Sequence, residues 1–232
     1  MKLGIMQPYL FPYTQQFRHI QQCEQWIVFD TPKYTRKSWI NRNRIANPTK
    51  EWCYISAPVM KGATTGAISD AVLADTGWRK DFVDQLRVYE SKAPFYTETV
   101  QLVKACLFMN NKVPTIADLN THTLKVLCQH LGIDTKITRL SEMNLDLPMH
   151  AEPGEWAYMI SKELGANIYS NASGGRHLFD PDLYESNGIS LEFYEPIPLE
   201  FSTPGFSFVP DLSVIDTLMW IGKDNLSQWC KE

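Results

Sequence analysis

The sequence predicts an α/β fold: a mainly parallel, Rossmann-like sheet with flanking helices and a helical middle region. Three observations carry this. Short apolar runs lead through turns into amphipathic helices and on to further apolar runs, once near the start and again after residue 166. Between them, large apolar residues recur at roughly helical spacing. Hydrophobic residues make up 44% of the chain and charged residues 21%, which is ordinary globular usage. At 232 residues the chain is long enough for one domain over residues 1–232, with residues 76–132 as a helical insertion or subdomain.

Lys2 to Met6 reads as a strand that Pro8 stops. The loop that follows is stiffened by Pro8 and Pro12 and carries Tyr9, Phe11 and Tyr13; Phe11 and Pro12 suit a hydrophobic plug, whereas Gln7 and Tyr9 bring polar atoms to the strand's end. TQQFRHIQQCEQ is a helix with Thr14 as its expected cap. WIVF, residues 26–29, is a buried strand. A right-handed crossover then puts Gln7 and Asp30 on one edge of the sheet, where open α/β sheets bind ligands.

Residues 29–45, FDTPKYTRKSWINRNRI, hold one carboxylate, Asp30, and five cations, Lys33, Arg36, Lys37, Arg42 and Arg44, among Tyr34, Trp39, Asn41 and Asn43. The whole chain has a formal net charge of −4, so this local excess singles the segment out. Arginine and asparagine present planar, multiple donors that fork onto phosphate, carboxylate or sugar groups, which makes Lys37, Trp39, Asn41, Arg42, Asn43 and Arg44 candidates for substrate binding. A solvated basic loop is the plain alternative. EWCYISAPV alternates like a strand and pairs with this arm through the ANPTK turn.

Helices follow from near Thr76 to Ala93, from Phe95 to Met109, and from a Thr115 or Asp118 cap to Gly132. Lys136 to Arg139 is a short strand, and the polar SEMNLDLPMHAEPG after it is expected to be a mobile loop. A helix from Glu155, a strand from Asn167 to Ser170 and a glycine pair come next. Gly174 and Gly175 suit either a tight turn at positive φ or a close backbone approach to an anion, with Arg176 beside them. ISLEFYE is a strand, and Pro210-Asp211 introduces the last helix. There Asp216 lies on an apolar face and needs a partner, for which an arginine from the Asn41 to Ile45 stretch is the expectation. An aspartate that only anchors the helix is the alternative.

Several of these stretches together resemble the WbqC-like protein family: IMQPYLFPY, KSWINRNRI, ASGGRHLFD, ESNGISLEF and FVPDLSVIDTLMW occur in that order between Ile5 and Lys223. The resemblance implies work on amino-sugar intermediates of bacterial surface polysaccharide, including O-antigen. On that substrate class the first expectation is acyl or aminoacyl transfer to the amine of a nucleotide-linked amino sugar, in which the basic residues and the glycine turn hold the diphosphate, Asp30 or Asp216 orients or deprotonates the amine, and an acyl carrier protein is a partner. The residues alone support an anionic, polyhydroxylated small molecule and name no cofactor. Two other classes stay open: a nucleotidyl-transferring or adenylate-forming α/β enzyme, and a noncatalytic sugar-nucleotide binding protein.

Other classes lose support. No Walker loop, dinucleotide GxGxxG, zinc spacing or Ser/His/Asp order is present. Five cysteines without CxxC spacing argue against disulfides and a zinc ribbon. The mildly acidic balance argues against nucleic acid, and the lack of a long apolar run argues against membrane insertion, so a cytoplasmic location is expected.

Overall fold

The sheet is assembled outward from its first strand. β1 (Lys2–Met6) pairs in parallel with β2 (Gln25–Val28), which pairs with β5 (Lys136–Arg139); on its other side β1 pairs with β6 (Ile168–Ala172), which pairs with β7 (Ser190–Tyr194). The order β5-β2-β1-β6-β7 is that of the expected parallel, doubly wound sheet. Chain direction across the sheet reverses between β1 and β6, and at such a reversal the loops leaving the two carboxyl ends part and open a crevice. This computed structural model describes residues 1–63, 66–108, 114–145, 147, 151 and 153–232. Part of the loop expected to be mobile, residues 146, 148–150 and 152, lies outside the described residues, as does Met109 at the end of the second middle helix.

Alternation within the strands explains why both faces are covered. Leu3, Ile5, Ile27 and Tyr169 point to one side, where they meet Ile160 of α5 (Pro153–Glu163) and Tyr184 of α6 (Pro181–Glu185). Trp26 and Val28 point to the other, into a core shared with α1 (Thr14–Gln21) and α7 (Val214–Lys231). That same core runs on through α2 (Trp78–Gln85), α3 (Tyr96–Leu107) and α4 (Ile116–Leu131), so the middle helices and the sheet bury one continuous set of side chains. α4 starts on a capping box in which Thr115 and Asp118 serve together, and it ends at left-handed Gly132.

Only Arg42–Asn47 of the basic arm is a strand, β3, paired antiparallel with β4 (Glu51–Ser56). The turn between them closes on the Asn47 side chain, whose Oδ1 accepts from the Thr49 and Lys50 amides at 3.0 and 3.1 Å. α7 runs past the expected end to Lys231 across a break at Gly222, where φ is 71° and an added Cβ would sit 2.6 Å from the Phe95 ring. Among the described residues no helix is long and apolar enough to cross a membrane.

Candidate functional site

Residues 7–13, which leave β1, have lost the sheet's hydrogen bonds, and two of them are prolines. Donors for the loop's carbonyls must therefore come from elsewhere. Asn43 Nδ2 donates to Leu10 O and Phe11 O at 3.0 and 2.8 Å, and Asn120 Nδ2 donates to Pro8 O at 2.8 Å. Ser213 Oγ also donates to Phe11 O, and the Val214 amide donates to Pro12 O. Phe11, fully buried as the plug reading expects, is held at φ 42°, a left-handed conformation that persists in a non-glycine residue only when its surroundings enforce it. Thr14 does not cap α1: its hydroxyl lies 2.7 Å from that of Thr217 on α7, and Tyr13 takes the cap position.

So fastened, the loop presents Tyr9 and Tyr13 to a cleft of about 300 Å³ completed by Trp39, Asn43, Arg44 and Asp211. Burial pushes both phenols up from their ordinary pKa. Pairing in the hairpin sends Asn43 and Ile45 inward and Arg42 and Arg44 to the opposite face, among Trp52 and Tyr54. There the Arg44 guanidinium lies 5.4 Å from the Trp39 ring centre and 5.3 Å from that of Trp52, and Arg42 lies 4.1 Å over Tyr54. Arg44 Nη2 donates to Asp211 O at 3.4 Å, and its buried Nε has no partner among the described residues. Lys37, at φ 55°, and Asn41 line a separate cleft of about 380 Å³ with Arg36 and Tyr34.

Asp211 also borders a third cleft, of about 420 Å³, whose lining includes the nearly buried Asp216 and Thr217. Asp216 is 3% exposed, and its partner differs from the expected arginine. Tyr89 Oη donates to Asp216 Oδ1 at 2.6 Å while accepting from the Ala46 amide at 2.8 Å, so a phenol bridges the hairpin to α7. Arg44 is taken up by the indoles and the Asp211 carbonyl instead. Burial raises the Asp216 carboxyl to about 6, against the pull of the Tyr89 hydrogen bond.

Asp30 is not brought to these clefts. It is fully buried, and both its oxygens are engaged: Arg139 Nε and Ser141 Oγ donate to Oδ2 at 2.7 and 2.6 Å, and the Ser141 amide donates to Oδ1 at 2.9 Å. Arg139 reaches on to Asp118 in the α4 cap. The arrangement ties the carboxyl ends of β2 and β5 to a helix start. Gln7, half-buried at the end of β1, borders none of the three clefts and makes no side-chain hydrogen bond among the described residues.

The glycine pair also stands outside them. Gly174 and Gly175 lie in a 3-10 turn over Ser173–Leu178, and neither takes positive φ. Gly175 approaches a side chain of its own chain, since an added Cβ would lie 3.0 Å from Asn171 Oδ1. Arg176 pairs with Glu195 at 3.1 Å and stacks at 4.1 Å over Phe193, beside β7. Tyr9, Trp39, Asn43 and Arg44 are therefore assembled together, Lys37 and Asn41 next to them, Asp216 across Asp211, and Gly174 to Arg176 apart.

Tyr13 and Asp211 are the site residues that the sequence reading passed over. Tyr13 had a signal, because its Pro-Tyr pair repeats that of Tyr9; Asp211 read only as the start of a helix. Burial pushes the thiols of Cys23, Cys106, Cys128 and Cys230 up to about 12, which suits structural groups. Among the described residues no group of histidine, cysteine and carboxylate side chains is placed to hold a metal ion.

The chain is similar to the uncharacterized protein Rv1507c of Mycobacterium tuberculosis (strain ATCC 25618 / H37Rv), 22% identical over 236 residues that span 100% of this chain and 99% of that protein. No solved structure matches it significantly. The model of the WbqC-like protein family matches residues 7–228, nearly the whole chain and every element of the clefts, and the chain belongs to that family.

Proposed function

We propose that the protein is a transferase that acylates the amine of a nucleotide-linked amino sugar destined for bacterial surface polysaccharide. The observation that supports it most is the junction at Asp211 between two unlike clefts, one with Arg44 held against Trp39, the other with Asp216 in its lining. A guanidinium clamped against indoles loses little side-chain freedom when it meets a diphosphate, and Tyr9, Tyr13 and Trp39 offer ring faces to a base or sugar. A sugar bound there extends its amine past Asp211 toward Asp216. At neutral pH a carboxyl of pKa about 6 is mostly ionised and so ready to accept a proton.

The chemistry balances with a thioester donor on an acyl carrier. The amine nitrogen attacks the thioester carbonyl, the C–N bond forms, and the C–S bond breaks. Asp216 takes the proton that the nitrogen loses and hands it to the departing thiolate. Both reactants belong to the cytoplasm, which is the location this reading assigns.

Thermal denaturation with nucleoside-diphosphate amino sugars, nucleoside diphosphates and ATP, followed by mass analysis after adding acyl thioesters, tests the proposal. A ligand at a hundred times its Kd stabilises the fold by about 2.7 kcal/mol, an easily read rise in Tm. The amino-sugar nucleotide is expected to raise Tm and to gain the mass of the acyl group. Trp39→Ala is expected to weaken its binding about tenfold, and Asp216→Asn to preserve binding while lowering kcat on the order of a hundredfold. Stabilisation without any mass gain from any donor would leave a sugar-nucleotide binding protein, and pyrophosphate release with ATP would move the assignment to adenylate formation.

A further inference from the structure

We infer that the cleft bordered by Asp216 is the acyl-donor subsite, and that it takes a short apolar acyl group bearing no carboxylate. This rests on the transfer reading above and narrows its donor. At about 420 Å³ the cleft lies within the ~300–1,000 Å³ range of small-molecule sites. One wall is the segment after β7, which contributes Pro196, Pro198, Leu199 and Phe201, and the other comes from Val209 and Leu212 just before α7.

That first wall is built into the fold. Gln15, 6% exposed, donates from Nε2 to Ile197 O at 2.6 Å and accepts at Oε1 from Tyr194 Oη at 2.7 Å and the Ile197 amide at 3.3 Å. Its prolines fix φ and have no amide hydrogen to satisfy. The wall is thus held in place before any ligand arrives.

Charge decides what kind of apolar group fits. Glu200, Asp211 and Asp216 border the cleft, and among the described residues no lysine or arginine does. A dicarboxylic acyl group would bring a further negative charge among carboxylates with no cation to meet it. A hydrocarbon chain instead gains by covering proline, leucine and valine side chains, about fourfold in affinity for each methylene buried. The neighbouring cleft has the opposite character, with Arg44 against its aromatic rings. Phosphate and acyl ends of the reaction are thereby sorted to the two sides of Asp211.

Calorimetric titration of the full chain with S-acetyl, S-propionyl, S-butyryl and S-succinyl N-acetylcysteamine tests the subsite directly. Affinity is expected to rise about fourfold per methylene from acetyl to butyryl, with succinyl at least tenfold weaker than butyryl. Val209 and Leu199 are both half-buried, so Val209→Trp or, should that variant not fold, Leu199→Trp fills the cleft from its edge. Either is expected to abolish butyryl binding and leave nucleoside-diphosphate amino-sugar binding unchanged. Succinyl binding as tight as butyryl, or butyryl binding untouched by the tryptophan, overturns the inference. The two readings fail separately: a sugar acylated as readily by succinyl donors removes the subsite and keeps the transferase, whereas graded butyryl binding without any amino-sugar binding does the reverse.

Discussion

Two loops leave the carboxyl edge of the same sheet from adjacent strands, and they are treated in opposite ways. The one after β1 is fastened by Asn43, Asn120 and Ser213 from three distant elements, holds Phe11 in a left-handed conformation, and borders a cleft. The one after β6 is a single exposed turn whose arginine is held by a surface ion pair of modest worth. Both combine turn-forming residues with hydrogen-bonding side chains at a strand end. What separates them is cover: α7 and the β3–β4 hairpin close over the first and leave the second open.

If cover is what makes the first region rigid, breaking its buried polar contacts must be expensive. The largest effect is expected at Asp30→Ala, which takes from Arg139, 11% exposed, its fully buried partner, leaves it only the more exposed Asp118 and Glu142, and unties β2 from β5. Loss of one partner of a buried ion pair costs about 3–5 kcal/mol. Urea unfolding measures it, and a loss under 1 kcal/mol would mean that the edge is not held by this contact. Asn43→Ala should follow at about 2–3 kcal/mol, because it deprives the Leu10 carbonyl and the Arg44 amide of their partner and leaves the Phe11 carbonyl with Ser213 alone.

Local grammar explains how much of this was legible. The opening strand, helix and strand, the hairpin with its ANPTK turn, and the Thr115 to Asp118 cap all rest on contacts within about thirty residues, and each stands where its residue pattern puts it. Within the site, Tyr9, Trp39, Asn43 and Arg44 were legible because aromatic and multi-donor side chains cluster in two short stretches. Partners were not. Asp30 meets a serine and an arginine 109 to 111 residues away, and Asp216 meets a phenol 127 residues away in preference to the arginines that charge alone suggests. The glycine pair stands apart from the clefts for a related reason, since nothing in a short motif says whether the rest of the chain will fold over it.

Titration sharpens the contrast, because the covered side buries two ionisable groups with opposite pH signatures. Asp216 is raised to about 6 by burial, so its contribution to stability is full below the ordinary carboxyl range and is lost as pH rises through 6. His19, 2% exposed and bonded to Ser170, is lowered to about 4 by burial and, to a lesser extent, by Lys2. Its contribution is present above about 6.5 and is lost as pH falls through 4. The two slopes oppose each other between pH 4 and 6. Asp216→Asn is therefore expected to gain stability relative to the parent by about 2–3 kcal/mol between pH 4 and 7, and His19→Gln to lose by a similar amount over the same interval. Parallel stability curves for parent and variants would show that neither group is held away from its ordinary pKa.

The smallest effect is expected on the open side. Gly174 is exposed, its φ is not positive, and a Cβ added there meets nothing within 4 Å. Alanine reduces the freedom of the unfolded chain at such a position, so Gly174→Ala should stabilise by about 0.5 kcal/mol. Gly175→Ala must push aside the Asn171 amide and should be neutral to slightly destabilising. The same pair bears on binding. If these backbone amides cradled a phosphate, a new methyl group at Gly174 would obstruct it and weaken the nucleotide sugar about tenfold; with the anion held at Arg44, the affinity stays that of the parent. A tenfold loss in Gly174→Ala with Arg44→Ala left unchanged would reverse the comparison and make the uncovered turn the anion site.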